Sequence, residues 1–249
     1  MSNLTDKRAI VTGAGSGFGA GIAQHFVAAG ATVGVLDINT QAAEQVAGQL
    51  GPKAQAVTCD ITNTASIQLA LAQFMESQGG IDILVNNAGV GHEPEALEDL
   101  AEDEFDRVFE VNMKSVYRLS RVVIPVMKAQ GSGCILNIAS TAGVSPRPGL
   151  SWYNASKGWL ITATRSMAAE LAPSKIRVNA LNPVAGETPL LTTFMGGDSA
   201  ELRQKFVDSI PLGRLSTPDD IGAAAVFLCS DAAGLITGVA LEVDGGRCI

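Results

Sequence analysis

The sequence predicts an α/β fold: a single doubly wound domain built on a seven-stranded parallel sheet with helices on both faces. Three observations carry that expectation. Short apolar, β-branched runs alternate with longer segments of helical period from one end of the chain to the other. A length of 249 residues, with 47% hydrophobic and 17% charged residues, is enough to bury one large core. No linker, repeat or low-complexity stretch interrupts the pattern, so residues 1–249 are expected to form one unit.

Strands are expected at 8–12, 32–37, 54–58, 81–86, 134–138, 176–181 and 239–243, each an apolar run bounded by turn residues. Helices are expected at 19–29, 40–50, 64–78, 102–130, 151–171 and 218–230. The last has the clearest start: Thr217 offers a hydroxyl at the N-cap, Pro218 takes the first helical position, and Asp219 and Asp220 put acids in the first turn. Residues 184–200, rich in Gly, Thr and Pro, break the rhythm. They are expected to form a mobile excursion between a strand end and a short helix, where a lid would be useful.

Composition narrows the partners. A net charge of −8 and a pI near 4.8 leave no clustered Lys and Arg to hold a phosphate backbone, which argues against nucleic acid. The polar start Met1–Arg8 has no apolar signal core, and no apolar run approaches the ~20 residues of a membrane span, so a cytoplasmic location is expected. The cysteines Cys59, Cys134, Cys229 and Cys248 form no CxxC pair or metal-ligand pattern and read as reduced thiols. With only His25 and His92 present, a His-based hydrolase or metal site is poorly supported, and no metal is expected.

Directly after the first strand comes Thr12-Gly13-Ala14-Gly15-Ser16-Gly17-Phe18-Gly19, and the helical pattern begins as the glycines end. Gly13 permits a tight turn, Gly17 lets the backbone approach a pyrophosphate, and Gly19 lets helix and strand pack closely, with the helix N-terminus facing the phosphates. The second strand ends in Asp37, at the distance expected for a carboxylate bonding a ribose 2′-hydroxyl. That charge repels a 2′-phosphate, and neither Ser16 nor Ile38 supplies a guanidinium to hold one; NAD is therefore expected over NADP on a Rossmann domain. The next two strands end in Cys59-Asp60-Ile61 and Asn86-Asn87-Ala88-Gly89. Asp60 is placed to accept from an adenine amino group, and Asn87, Ala88 and Gly89 let the adenosine half lie close to the chain.

Tyr153 and Lys157 stand four apart in a helical pattern and share one face. A phenol titrates near ~10, too high for an efficient base at neutral pH, and a nearby ammonium is expected to lower that value. Ser140 closes the fifth strand, where its hydroxyl can bond a substrate oxygen as negative charge develops. Asn112 is a mediocre helix former inside a long helix, placed to hold a water or disturb the helix locally.

Taken together, these residues make the chain resemble the short-chain dehydrogenase/reductase family over nearly its whole length. Thr12–Gly19 match the TGxxxGxG turn, Asn86–Gly89 the NNAG segment, and Asn112, Ser140, Tyr153 and Lys157 the catalytic tetrad in order and spacing. The resemblance implies hydride transfer between nicotinamide C4 and a carbon bearing oxygen, with Tyr153 as general acid/base and Ser140 positioning that oxygen. It also implies that Lys157 bonds the nicotinamide ribose, that Asn112 holds a water in a relay to solvent, and that the chain is a homotetramer joined through its long helices and C-terminal strand. One departure stands out: where the family has Pro-Gly after the sixth strand, this chain has Pro183-Val184, although Thr188 still falls where the family bonds the nicotinamide carboxamide.

The expected substrate is a secondary or benzylic alcohol, or its carbonyl counterpart, lying among 90–93, 141–152 and the excursion that contains Phe194 and Met195. Arg147, between two prolines, is a candidate for an anionic substrate group, the alternative being a solvent-facing loop arginine. Rival readings are an NADPH-dependent 3-oxoacyl-carrier-protein reductase, opposed by Asp37, and a non-catalytic NAD-binding sensor, opposed by the intact Ser140, Tyr153 and Lys157.

Overall fold

The computed structural model describes residues 3–249. Met1 and Ser2, the beginning of the polar N-terminal stretch, lie outside the described residues. The seven strands are β1 (Arg8–Thr12), β2 (Thr32–Asp37), β3 (Ala54–Thr58), β4 (Ile83–Asn86), β5 (Gly133–Ile138), β6 (Ile176–Pro183) and β7 (Ala240–Val243). They form one sheet in the order β3-β2-β1-β4-β5-β6-β7, with every pairing parallel.

The helices are α1 (Gly17–Ala28), α2 (Thr40–Leu50), α3 (Thr64–Gln78), α4 (Glu102–Phe109), α5 (Ser115–Gln130), α6 (Ser151–Leu171), α7 (Leu190–Met195), α8 (Ala200–Asp208) and α9 (Pro218–Cys229). None of them, among the described residues, is long and apolar enough to cross a membrane.

Side-chain alternation along the strands divides the core between the two faces. Val11, Val33, Val35, Ile83, Val85 and Leu136 point to the face covered by α1, α2 and α9. Ile10, Leu36, Leu84, Ile135 and Val178 point to the opposite face, with Leu71 and Phe74 of α3 and Leu119 and Val123 of α5. Gly34 is required where the second face is thinnest, since a Cβ there would stand 2.7 Å from Ile10 Cδ1 and 3.0 Å from the Phe74 ring. Helix starts follow the sequence chemistry: Asn39 caps α2, Asn63 caps α3, and Thr217 with Asp220 forms a capping box on α9.

The strand order reverses between β1 and β4, the switch point at which the carboxyl ends of parallel strands leave a crevice. A buried polar chain fixes α6 against this edge. Asn86 Nδ2 donates to Asn137 Oδ1 (2.8 Å), Asn137 Nδ2 to Thr164 Oγ1 (2.9 Å), and Thr164 Oγ1 to the Leu160 carbonyl (2.8 Å). Loss of any one partner would leave buried amides unpaired, so β4, β5 and α6 hold one relative position.

Three features differ from the sequence expectation. Helix α1 starts at Gly17, two residues early. The expected 102–130 helix is divided by a π-turn, Glu110–Lys114, that contains Asn112. Residues 184–200, expected as an excursion leading to a short helix, themselves contain α7, and Val184, Leu191 and Met195 are buried with Ile210 and Leu215.

Candidate active site

The carboxyl ends of the strands open into one cavity of about 660 Å³. Sheet order sets its contents in sequence from side to side: Asp37, Ile38, Asp60 and Ile61 beyond β2 and β3; Gly13, Ser16, Gly17 and Phe18 beyond β1; Asn87, Ala88 and Gly89 beyond β4; Ser140 beyond β5; and Pro183, Val184 and Thr188 beyond β6. Tyr153, Lys157, Arg147 and Phe194 line it from α6, its preceding loop and α7.

The glycine turn is shaped by close approach. Gly13 (φ +63°) would place a Cβ 2.9 Å from Ala88 Cα, and a Cβ on Gly19 would stand 2.3 Å from the Gly13 carbonyl oxygen. Gly17 (φ +54°) begins α1 and faces Thr188, so the helix N-terminus opens directly to the cavity. Asn87 braces the turn by donating from Nδ2 to the Thr12 (2.8 Å) and Gly13 (3.2 Å) carbonyls, while its backbone N–H donates to Thr12 Oγ1 (3.0 Å). The side chain of Asn87 is thus committed to the protein, and only its backbone and the small residues after it are left to face a ligand.

Asp37 accepts from Gly15 N and Asn39 N, both at 2.9 Å. The cap of α2 is Asn39, so Asp37 is not used as a helix cap. Asp60 Oδ1 accepts from Thr62 N and Oγ1, which fixes the carboxylate at the cavity wall.

At the other end, Tyr153 and Lys157 are both buried on one face of α6, with the ammonium 5.8 Å from the phenol ring centroid. Lys157 Nζ donates to the Ile138 carbonyl at 2.9 Å. A Cβ on Gly89 would stand 3.4 Å from both Lys157 Nζ and Asn112 Oδ1, so ammonium and amide converge on that glycine. Asn112 is clamped to Val90: Oδ1 accepts from its N–H (2.9 Å), and Nδ2 donates to its carbonyl (2.9 Å) and to Ser156 Oγ (3.1 Å). Ser140 Oγ accepts from Ala142 N (3.1 Å), which turns its hydroxyl toward the cavity.

Burial pushes the Tyr153 phenol up to about 12, with the Ser140 hydroxyl and then the Arg147 guanidinium pulling the other way. Burial pulls the Lys157 ammonium down to about 8. Desolvation dominates, and the groups that favour the phenolate are Ser140 and Arg147.

Met195 does not line the cavity; it is buried beneath α7 with Leu191 and Ile210, because successive helical residues point about 100° apart and Met195 falls on the inner side. Phe194 faces inward instead, its ring 4.7 Å from that of Tyr153 and tight against Gly91. His92 is buried with Nε2 unpartnered, and His25 meets Asp219 at 3.0 Å on the far side of α1, so neither lines the cavity.

A family model described as enoyl-(acyl carrier protein) reductase matches residues 13–247. The 4-formylbenzenesulfonate dehydrogenase TsaC1/TsaC2 of Comamonas testosteroni is 45% identical over 249 residues, covering 98% of this chain and 99% of the relative. The 7alpha-hydroxysteroid dehydrogenase of Escherichia coli K12 is 42% identical over 98% of this chain and 94% of the relative. A crystal structure of 3-ketoacyl-(acyl-carrier-protein) reductase from Brucella melitensis, complexed with NADH, aligns with a TM-score of 0.95 at 52% identity, covering 99% of this chain and all (100%) of that one. The chain belongs to the short-chain dehydrogenase/reductase family. It is an oxidoreductase of that family.

Within the short-chain dehydrogenase/reductase pattern, the Val184 departure has a local explanation. Val184 is buried with Leu191 and Met195, and the close approach moves two residues on, to Gly186, where a Cβ would meet the Phe18 ring at 2.2 Å and Ser216 Oγ at 2.7 Å. Ser216 pins this path by donating to the Val184 carbonyl at 3.2 Å, and Gly186 bridges to Ser216 in parallel. Thr188 consequently reaches the cavity above Gly17. Sequence reading missed Gly15, Ser156, Gly186 and Arg247. The first two carry no signal outside the fold, whereas Gly186 was visible as the nearest glycine after Val184.

Proposed function

We propose that this protein transfers a hydride between NAD(H) and a secondary or benzylic alcohol or the corresponding carbonyl compound, with Tyr153 as the general acid/base. One observation carries the reading: the glycine turn with Asp37 and the Ser140–Tyr153–Lys157 group lie along a single cavity at the carboxyl edge. The residues fit the coenzyme. A glycine cradle that any Cβ would fill receives a pyrophosphate at the α1 N-terminus, and Asp37 accepts from a ribose 2′-hydroxyl while repelling a 2′-phosphate. When bound, the nicotinamide supplies the hydride.

The chain's own groups handle the oxygen and its proton. With its pKa pushed up to about 12, Tyr153 is a phenol at neutral pH, able to donate to the oxygen of a carbonyl as charge develops there. Ser140 donates to the same oxygen from the β5 end, which positions it and stabilises that charge. Lys157 would hold a ribose hydroxyl, and Ser140 and Arg147 favour loss of the phenol proton in the oxidative direction. Asn112 keeps the Val90 backbone and Lys157 in register and supports a water path for the proton. Phe194 on α7, stacked near the Tyr153 ring, makes residues 184–200 a lid over the reacting carbon.

The NADPH-dependent carrier-protein reductase alternative is disfavoured by Asp37, whose carboxylate at the end of β2 repels a 2′-phosphate. A non-catalytic sensor would leave the buried Tyr153 and Lys157 without a use. The assembly proposed is a homotetramer; exposed apolar rings of Phe109, Tyr117 and Trp159 along α4, α5 and α6, and exposed aliphatic side chains of Leu235, Leu241 and Ile249 near the C-terminus, support contact between copies. Its place is the cytoplasm, where all four cysteines, which are free, stay reduced.

The deciding experiment follows NADH formation over a panel of secondary and benzylic alcohols, with NADP+ in parallel. Tyr153→Phe should bind NADH as the parent does and lose nearly all turnover, by roughly 10²-fold or more. Substantial residual activity in that variant, or a preference for NADP+, overturns the reading.

A further inference from the structure

We propose that Arg147 and Arg247 together form an anion-binding subsite at the substrate end of the cavity, and that the substrate is an alcohol or carbonyl compound carrying a carboxylate or sulfonate remote from the reacting carbon. The inference rests on the dehydrogenase reading above and names the substrate class for that same site.

Both guanidinium groups line the cavity that contains Tyr153, although they arrive from opposite ends of the chain. Arg147 lies in the loop before α6, and Arg247 follows β7. Among the described residues, neither forms an ion pair or donates a side-chain hydrogen bond, whereas Arg8, Arg107, Arg118 and Arg214 all meet carboxylates within 2.7 Å. The acid closest in sequence to Arg247 is already engaged: Asp244 accepts from Gly246 N and Cys248 N, both at 2.9 Å. Among the described residues, the only carboxylates on the cavity wall, Asp37 and Asp60, stand at the β2–β3 end.

Arg147 is also held in place. Its guanidinium lies over the Phe206 ring at 4.5 Å, and Asn154 Nδ2 donates to its carbonyl at 2.8 Å. Gly149 (φ +79°) turns the loop immediately after it. Burial lowers the Arg147 pKa, and the neighbouring Arg247 charge lowers it further, with Tyr153 opposing. Two like charges sharing a partly buried wall repel each other, and an anion placed between them relieves that repulsion while gaining bidentate contacts. Phe194, Phe206 and Leu191 also line the cavity, and their rings and aliphatic side chain suit an aromatic or alicyclic body.

The test compares 4-carboxybenzaldehyde with methyl 4-formylbenzoate, which share ring and aldehyde and differ in charge, and titrates benzenesulfonate calorimetrically into the NADH-loaded protein. The parent should favour the charged aldehyde in kcat/KM. Arg147→Met and Arg247→Met should each lower that preference by about tenfold or more and weaken benzenesulfonate binding in parallel, while Arg247→Lys should retain part of both. A preference ratio and a benzenesulfonate affinity that stay the same in both Met variants overturn the subsite while leaving the dehydrogenase reading intact. Failure of the parent to reduce either aldehyde counts against the dehydrogenase reading for benzylic carbonyls. The benzenesulfonate titration then decides the subsite alone.

Discussion

Lys157 and Asp37 show how environment converts a residue type into a role. A buried ammonium with one backbone acceptor, the Ile138 carbonyl, is under-solvated, which is why its pKa falls to about 8. The folded protein therefore binds this proton less tightly than the unfolded chain does. Below about 8 both states are protonated and the burial cost is constant; as pH rises from 8 toward the ordinary value of 10.5, the folded state sheds the charge first and stability rises. Tyr153 has the opposite sign, because its raised pKa costs stability only above about 10. Urea unfolding of the parent and of Lys157→Met from pH 7 to 10 should show a rise in the parent, on the order of 1–3 kcal/mol relative to the variant. Parallel pH profiles would remove Lys157 as the titrating group. The spacing of Tyr153 and Lys157 was readable from sequence, but the depth of their burial was not, since it depends on α7 folding over the helix. Asp37 was equally visible as a strand-end acid; its anchorage to Gly15 N could not be seen, because backbone donors leave no trace in residue identity.

Elements differed in legibility according to whether one period governed them. Strands such as β1, β2 and β5 were legible because each has uniform apolar character and a clear terminator, and the capping box on α9 was written directly as Thr217–Asp220. The 102–130 segment has helical period throughout, so its π-turn at Glu110–Lys114 was hidden except for the misplaced amide of Asn112. An extra residue in that turn swings Asn112 inward to the Val90 backbone and Ser156. Helix α7 within the 184–200 excursion was not legible because the Gly, Thr and Pro content obscured Leu191 and Met195, the residues that seat it. Asn112→Ala should cost roughly 2–4 kcal/mol in a urea titration, since buried Val90 and Ser156 groups lose their partner, and turnover should fall with it. A loss below about 0.5 kcal/mol, the range of an ordinary surface change, would mean that the π-turn holds its shape without the amide.

For the whole molecule, the outward faces of the long helices are harder to account for in a lone chain than its interior. Phe105 packs edge-on against Trp152 with centroids 5.3 Å apart and parallel to Phe109 at 6.5 Å, yet each of these rings stays more than a third exposed. Trp159, one turn or more along α6, is 37% exposed on the same helix that carries Tyr153 and Lys157 inward. Rings of this size on one surface are expected to be covered by a second copy of the same surface, because a two-fold contact buries every residue twice. A charge introduced there is also introduced twice, close to its own symmetry mate and out of water, on chains that already carry a net charge of −8 each. Trp159→Glu should therefore split the proposed tetramer into smaller species in light scattering, with the effect deepening at low salt, while far-ultraviolet circular dichroism of the sheet and helices is retained. Helix α6 would then be held only by its inner face, so the split species should also lose turnover through Tyr153. An unchanged mass for this variant at micromolar concentration would mean that the aromatic face is not the contact that joins the chains.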